Sequence, residues 1–198
     1  MQEKETFEGF ENFDYRPMIR NQTRDFLIEN LKKSQPEKIL EIGTFLGYSA
    51  SVMLETCPQA VLTTVELNPQ NAQNALINLK KLGFENRVKV VCSDALDFLK
   101  TLGDDQMFDF VFLDGAKGQY IKYLPYLKSH LNAGGVLFAD DVLFYGMVTS
   151  HEKIAHKHRS IVNHLRDFLQ TLQDDNDFET KIYDFDDGVS VSIKYKQI

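Results

Sequence analysis

Along residues 38–142, short, nearly unbroken apolar runs alternate with stretches whose apolar positions recur every three or four residues. The first kind reads as strands: KILEIGT, AVLTTVEL, VKVVCSDA, FDFVFLDG and GGVLFADDV. The second kind reads as helices between them: YSASVMLETC, PQNAQNALINLKKLG, LDFLKTL and QYIKYLPYLKSHL. Pro69 near the start and Gly83 at the end bracket the second of these helices. Strands this continuously apolar fit a parallel sheet covered on both faces. Upstream, Pro17 can open a helix over MIRNQTRDFLIENLKK, with Ile19, Phe26, Leu27 and Leu31 apolar, and Gln35-Pro36 ends it. Downstream, a long helix near residues 154–172 precedes FETKIYDF and GVSVSIKY. These two runs flank Asp186-Asp187-Gly188, a hairpin turn. The expectation is an α/β chain forming one domain over residues 1–198, its open sheet carrying an antiparallel edge. Residues 1–33, a leader and a helix, are expected to close over the site.

Composition narrows the class without naming it. Of 198 residues, 43% are hydrophobic and 26% charged, as in ordinary globular chains, and the net charge of -7 argues against a uniformly basic nucleic-acid surface. Cys57 and Cys92 read as free thiols. MQEKETFEGFENF lacks the apolar core of a signal peptide, and no apolar run approaches membrane-spanning length. A cytoplasmic enzyme or binding protein is expected.

Ligands of open parallel sheets sit beyond the carboxyl ends of the strands. Glu41, Glu66, Asp94, Asp114, Asp140 and Asp141 all fall at or near such ends. Gly43 and Gly47 follow the first strand and open a helix, which permits a tight turn and close approach of a ligand. The spacing is not that of a dinucleotide fingerprint, and no lysine waits for a nucleotide phosphate. Glu41 beside these glycines would repel a pyrophosphate and suits a cation or an amino group. An ordinary tight connection is the other reading. Glu66 suits two ribose hydroxyls, a feature that nicotinamide and adenosyl ligands share. Asp94 either accepts from an adenine amino group or caps the following helix, and both can hold.

Asp114 ends the fourth strand, and Asp140 and Asp141 the fifth. Neighbouring parallel strands would bring the three together, where they repel unless protons or a cation intervene. Oxygen-only ligands suit magnesium, manganese or calcium rather than zinc. Lys117 either points to water, neutralises a carboxylate, or accepts a proton with a pKa depressed by a nearby metal.

Taken in order, EIGTFLGYSA, VEL, SDA, FLDGAKGQY and ADDVLFYG resemble the class I S-adenosylmethionine-dependent O-methyltransferases, in the cation-dependent branch that includes catechol and caffeoyl-CoA enzymes. The resemblance runs from about Met18 to the C-terminus. It implies a Rossmann-like methyltransferase fold with a mostly parallel seven-stranded sheet and an antiparallel C-terminal hairpin edge. It implies that Gly43, Phe45, Tyr48 and Ser49 line the methionine part of S-adenosyl-L-methionine. Glu66 would then hold the ribose, Asp94 and Ala95 the adenine end, and Met18 would reach the cofactor from above. Asp114, Asp140 and Asp141 would hold Mg2+ (or Mn2+ or Ca2+), with Asp114 and Lys117 serving catalysis. That branch more often has asparagine as the third ligand, so Asp141 is a departure that adds charge.

The acceptor is a separate question. Lys153, His156, Lys157, His158, Arg159 and Arg166 crowd a short span of an acidic chain. This is either a solvated helix face or a phosphate-binding rim. His156 and His158 point to different helix faces and do not read as zinc ligands. GMV, the basic linker and IVNHLRDFL resemble the bacterial tRNA 5-hydroxyuridine methyltransferases of the same branch, which make 5-methoxyuridine at the anticodon wobble position. That resemblance implies a tRNA anticodon partner, with Lys153, Lys157 and Arg159 on its backbone. Arg16, Arg20 and Arg24 either extend this surface or pair with acidic neighbours. Small catechol-like or phenylpropanoid-type acceptors are the alternative, and a non-catalytic adenosyl-ligand binding protein is another. Phe7, Phe10, Phe13 and Tyr15 suggest burial against a second copy, a homodimer, or closure over the chain's own site.

Overall fold

The computed structural model describes residues 6–10 and 18–195. Phe13, Tyr15, Arg16 and Pro17, singled out above, lie outside them. The first helix, α1 (Asn21–Ser34), has no side-chain cap of its own. Its cap comes from far along the chain: Asp186 Oδ2 accepts from Thr23 N at 2.8 Å and Thr23 Oγ1 at 3.0 Å. A carboxylate at that end also complements the helix dipole. The helix stops at Gln35, whose φ of 47° and bond to the Leu31 carbonyl form a left-handed C-cap before Pro36.

From there strands and helices alternate as the apolar pattern predicts. They are β1 (Lys38–Ile42), α2 (Tyr48–Thr56), β2 (Val61–Glu66), α3 (Pro69–Lys81), β3 (Val88–Cys92), α4 (Ala95–Lys100) and β4 (Phe108–Leu113). A short 3-10 turn at Lys117–Gln119 leads into α5 (Tyr120–Ser129), followed by β5 (Leu131–Ala139), α6 (His156–Asp174), β6 (Phe178–Tyr183) and β7 (Val189–Lys194). All seven strands join one sheet in the order β3-β2-β1-β4-β5-β7-β6. The β1 to β5 pairings are parallel, and β7 is antiparallel to both β5 and β6. The hairpin thus inserts its second strand next to β5, and β6 becomes the edge. β5 also starts earlier than its Gly-Gly pair suggests: Leu131 pairs with Phe108, and the register slips before Phe110 meets Val136.

Period-two alternation divides the core. Ile39, Phe110, Phe112 and Phe138 face α1 and α2, packing with Leu27, Leu31, Val52 and Met53. Leu40, Ile42, Val111, Leu113 and Leu137 face the other way, with Tyr123, Leu127, Val162, Leu165 and Phe168 of α5 and α6. Phe7 and Phe10 are buried in the first of these layers, within this chain's own core; Phe13 and Tyr15 lie outside the described residues. Cys57 is buried and Cys92 exposed, both free, as expected. No helix among the described residues is long and apolar enough to cross a membrane.

Strand order reverses between β1 and β4, so the loops after them diverge and leave a crevice above their carboxyl ends. Phe138, fully buried, is central beneath it, with ring centroids of Phe26, Phe110 and Phe112 at 5.9, 6.2 and 5.7 Å. Phe138→Ala should lower unfolding stability by about 3–5 kcal/mol, read by urea denaturation. A loss below about 1 kcal/mol would mean that the rings can close the gap.

Candidate functional site

The ladders of β1, β4 and β5 each run one bond past their last strand residue. Gly43 N donates to Val65 O, Asp114 N to Ile42 O, and Asp140 N to Leu113 O. These bonds place the residues after the strands on one rim. Gly43 has φ +100°, and a Cβ there would strike the Asp114 carbonyl oxygen, so only glycine lets the two strand ends close together. Above the rim lies a cavity of about 710 Å³. Its wall includes Met18, Gly43, Phe45, Glu66, Asp94, Ala95, Asp114, Lys117, Asp140 and Asp141. Tyr48 and Ser49 line a small recess shared with Met18, Gly43, Phe45 and Asp114.

Glu66 takes part in holding this wall. Its Oε2 accepts from Phe45 N at 2.8 Å and its Oε1 from Asn68 N at 2.9 Å. Phe45 adopts a φ of 49°, which a non-glycine residue keeps only under such restraint. Asp94 caps α4, accepting from Leu96 N and Asp97 N, and still lines the cavity, so its two sequence readings coexist. Glu41 differs from expectation. It is fully buried and off the cavity wall, with Oε1 accepting from Ser49 Oγ and Oε2 from Thr64 Oγ1, each at 2.5 Å. Its position inside β1 opposite Thr64, one residue short of the strand end, points it into the layer under α2. Burial, only partly offset by the two hydroxyls, pushes its pKa up to about 8.

At the other end of the cavity, ligand oxygens of Asp114, Asp140 and Asp141 lie within 4.8 Å of one another. Among the described residues no other group of histidines, cysteines and acids is so arranged, and His156 and His158 form no such site. Tyr120, fully buried, ties the two strand ends from below: its hydroxyl lies 3.0 Å from Leu113 O and 3.2 Å from Asp140 O. Lys117 faces the triad, not solvent, with Nζ 2.5 Å from Asp114 Oδ1 and 3.3 Å from Asp141 Oδ2. Burial alone would depress its pKa, but Asp114, Asp141 and Asp140 outweigh it and hold the ammonium well above the ordinary lysine range. The expected depressed lysine is thus not seen against bare carboxylates. Burial and mutual repulsion raise Asp114 and Asp140 despite Lys117.

Sequence reasoning missed part of the site. Arg20 Nη1 lies 3.3 Å from Asp141 Oδ1, and its Nη2 lies 3.9 Å from Asp187 Oδ2. Asp187, read only as a turn residue, is buried on the cavity wall and accepts from the backbone N–H of Tyr145. Phe144 and Tyr145 line the same mouth with φ of 45° and 55°. The one signal available was a pair of acids in a turn where one would do. Arg20 and Arg24 pair with acids, Arg24 with Asp25 at 2.7 Å, in line with the second of the two readings above. Lys153, Lys157 and Arg159 are exposed and off the cavity wall. Arg166 instead straps the loop before α6, donating to the carbonyls of Met147, Val148 and Ser150.

The sequence profile described as O-methyltransferase matches residues 9–195. The chain is similar to a catechol O-methyltransferase of Mycobacterium tuberculosis, 36% identical over 55% of this chain and 50% of that protein. It is 31% identical to a caffeoyl-CoA O-methyltransferase of Stellaria longipes over 62% of this chain and 53% of the relative. The chain thus spans about half the length of these curated relatives. Among solved structures, the SAH-bound methyltransferase PaMTH1 of Podospora anserina superposes with a TM-score of 0.79 at 26% identity, covering 91% of this chain and 81% of that one.

The buried Glu41 predicts a pH effect. Unfolded, it ionises near 4.5; folded, it keeps its proton to about 8. Between these values the native state binds more protons, so its contribution to stability falls as pH rises. Glu41→Gln, which cannot titrate, should remove that component. Denaturation of both proteins across the window should show wild type losing stability relative to the variant toward alkaline pH. Parallel profiles would show that Glu41 ionises normally.

Proposed function

The chain belongs to the O-methyltransferase family, and we propose that it moves the methyl group of S-adenosylmethionine to a hydroxyl of a small acceptor bearing adjacent oxygens, of the catechol or phenylpropanoid type. The observation that carries this is the carboxylate triad and the Glu66 wall meeting across one cavity. The donor set fits a hard divalent cation: three carboxylates, oxygen only, at mutual distances one ion can span. Asp114, Asp140 and Asp141 would hold it. When bound, such an ion supplies Lewis acidity that makes an acceptor hydroxyl easier to ionise.

The chain's own residues do the rest. Glu66 retains acceptor capacity for the ribose hydroxyls beyond its two backbone bonds, and Asp94 and Ala95 border the adenine end. Met18, Gly43, Phe45, Tyr48 and Ser49 surround the methionine end. Glu41 acts through Ser49, one layer below. Lys117, 2.5 Å from Asp114 Oδ1, would face the acceptor oxygen, to take its proton or steady its negative charge; Asp114 fixes its direction. Methyl transfer from a sulfonium needs near-collinear attack, so fixing both partners supplies much of the rate.

The names of the relatives support a small phenolic acceptor, and none of those cited above concerns RNA. One feature favours a second reading, methylation of 5-hydroxyuridine at the tRNA wobble position. Lys153, Lys157 and Arg159 are exposed around the start of α6, where the helix dipole disfavours cations unless anions arrive. The deciding experiment incubates the protein with labelled S-adenosylmethionine, magnesium and either a catechol panel or tRNA lacking the modification. Mass spectrometry then identifies the product. The expected result is a methylated catechol, abolished by EDTA, with cofactor affinity retained. Product on tRNA alone would select the second reading. Cofactor binding without product on either would favour a non-catalytic binding protein, and full turnover in metal-free enzyme would remove the cation.

Glu66→Ala should weaken S-adenosylmethionine binding by about 1–3 kcal/mol in calorimetry, since charge-assisted bonds are lost. Unchanged affinity would reject its role at the ribose.

A further inference from the structure

Asn78 lies on α3, is 4% exposed, and does not line the cavity. Its carboxamide is nevertheless fully engaged. Oδ1 accepts from Glu8 N at 2.7 Å, and Nδ2 donates to Glu8 O at 3.3 Å and to Leu46 O at 3.0 Å. Two of these bonds grip both polar backbone groups of one residue in the N-terminal segment. The third grips the turn between Gly43 and Gly47. Among uncharged side chains, only a carboxamide presents a donor pair and an acceptor in that arrangement.

The surroundings form a seat for residues 6–10. Phe7 and Phe10 are 3% and 7% exposed, and Phe7 packs edge-on against Tyr48 with ring centroids 5.5 Å apart. Gly9 has φ +86°, and a Cβ there would collide with the Asn74 carboxamide, so the backbone lies directly on α3. At the surface Lys81 Nζ meets Glu8 Oε2 at 2.7 Å. The turn is thereby held from two sides: Glu66 takes the N–H of Phe45, and Asn78 takes the carbonyl of the next residue, Leu46. Phe45 and Tyr48, either side of Leu46, both border the recess beside the cavity.

We propose that Asn78 is a positioning residue for the cofactor turn, joining the docked N-terminal segment to the Leu46 carbonyl so that seating of residues 6–10 and affinity for S-adenosylmethionine are linked. This rests on the assignment of the Gly43–Ser49 turn to that ligand. Because linkage is reciprocal, S-adenosylmethionine in turn holds the segment in its seat.

The test is a double-mutant cycle with Asn78→Ala and Gly9→Ala, one from each side of the contact. Calorimetry gives the S-adenosylmethionine dissociation constant, with thermal melting and circular dichroism checking the fold. Protease cleavage within the first ten residues is followed with and without the ligand. Each single variant should weaken S-adenosylmethionine binding about ten-fold, and the double variant no further than the weaker single, because both break one contact. The ligand should slow cleavage in wild type and not in the variants. If Asn78→Ala does not fold, Gly9→Ala decides alone, since it unseats the segment from its own side by crowding Asn74. Unchanged affinity in the variants would overturn the proposal, as would multiplying losses with equal protection. If wild type itself fails to bind S-adenosylmethionine, the assignment of the turn falls first and the proposal with it.

Discussion

Four carboxylates, those of Asp114, Asp140, Asp141 and Asp187, crowd the carboxyl edge of one sheet, and their mutual repulsion is the constraint around which the rest is arranged. Parallel pairing of β4 with β5 makes Asp114 and Asp140 neighbours whatever their charge. Burial then removes the water that would screen them. Lys117 and Arg20 are the counter-charges, one from the loop after β4 and the other from the residue before α1. Two cations against four carboxylates leave an excess of negative charge, which suits a divalent ion. The added charge of Asp141 has a partner in Arg20, so aspartate at this place is accommodated by the residue that precedes α1.

The same constraint explains the work concentrated in the β6–β7 turn. Asp186 caps α1, Asp187 holds Tyr145 and faces Arg20, and Gly188 leaves room for Leu143. Val142 N and Leu143 N bond to the carbonyls of Gly188 and Asp187. The N-terminal helix, the loop after β5 and the hairpin are therefore one assembly. Inserting β7 beside β5 is what brings this turn to the acid cluster.

The two ends of the cavity are built differently. The Glu66 end is shaped mainly by backbone groups: the strained Phe45 turn, the capped start of α4 and the close approach of Gly43 to Asp114. The acidic end is shaped by charge. Between them Tyr120 and Glu41 lie beneath the rim, fully buried, Tyr120 bonded to the Leu113 and Asp140 carbonyls and Glu41 to the hydroxyls of Ser49 and Thr64. Exposed aromatic surface at Tyr145 borders the acidic end.

Much of this was determined by local pattern. Apolar runs separated by amphipathic stretches specify β1 to β5 and their helices, because strand and helix periods are set by each segment's own residues. The end of a parallel strand is also local, so Glu66, Asp94, Asp114, Asp140 and Asp141 could be assigned to one rim from their places in the chain. Orientation and long-range pairing were not local. Glu41 differs from its neighbours by one step of the strand pleat, and that step turns it from the cavity into the layer under α2. Arg20 meets Asp141 across 121 positions, and Asp186 caps α1 across 163. Phe7 and Phe10 find a seat that exists only once α2 and α3 are packed. Lys117 holds its proton because three acids from two strands surround it. The chain by itself determined the elements and the carboxyl-edge rim; which charges face one another there was decided by tertiary packing, because a pair energy depends on distance and burial that no single segment contains.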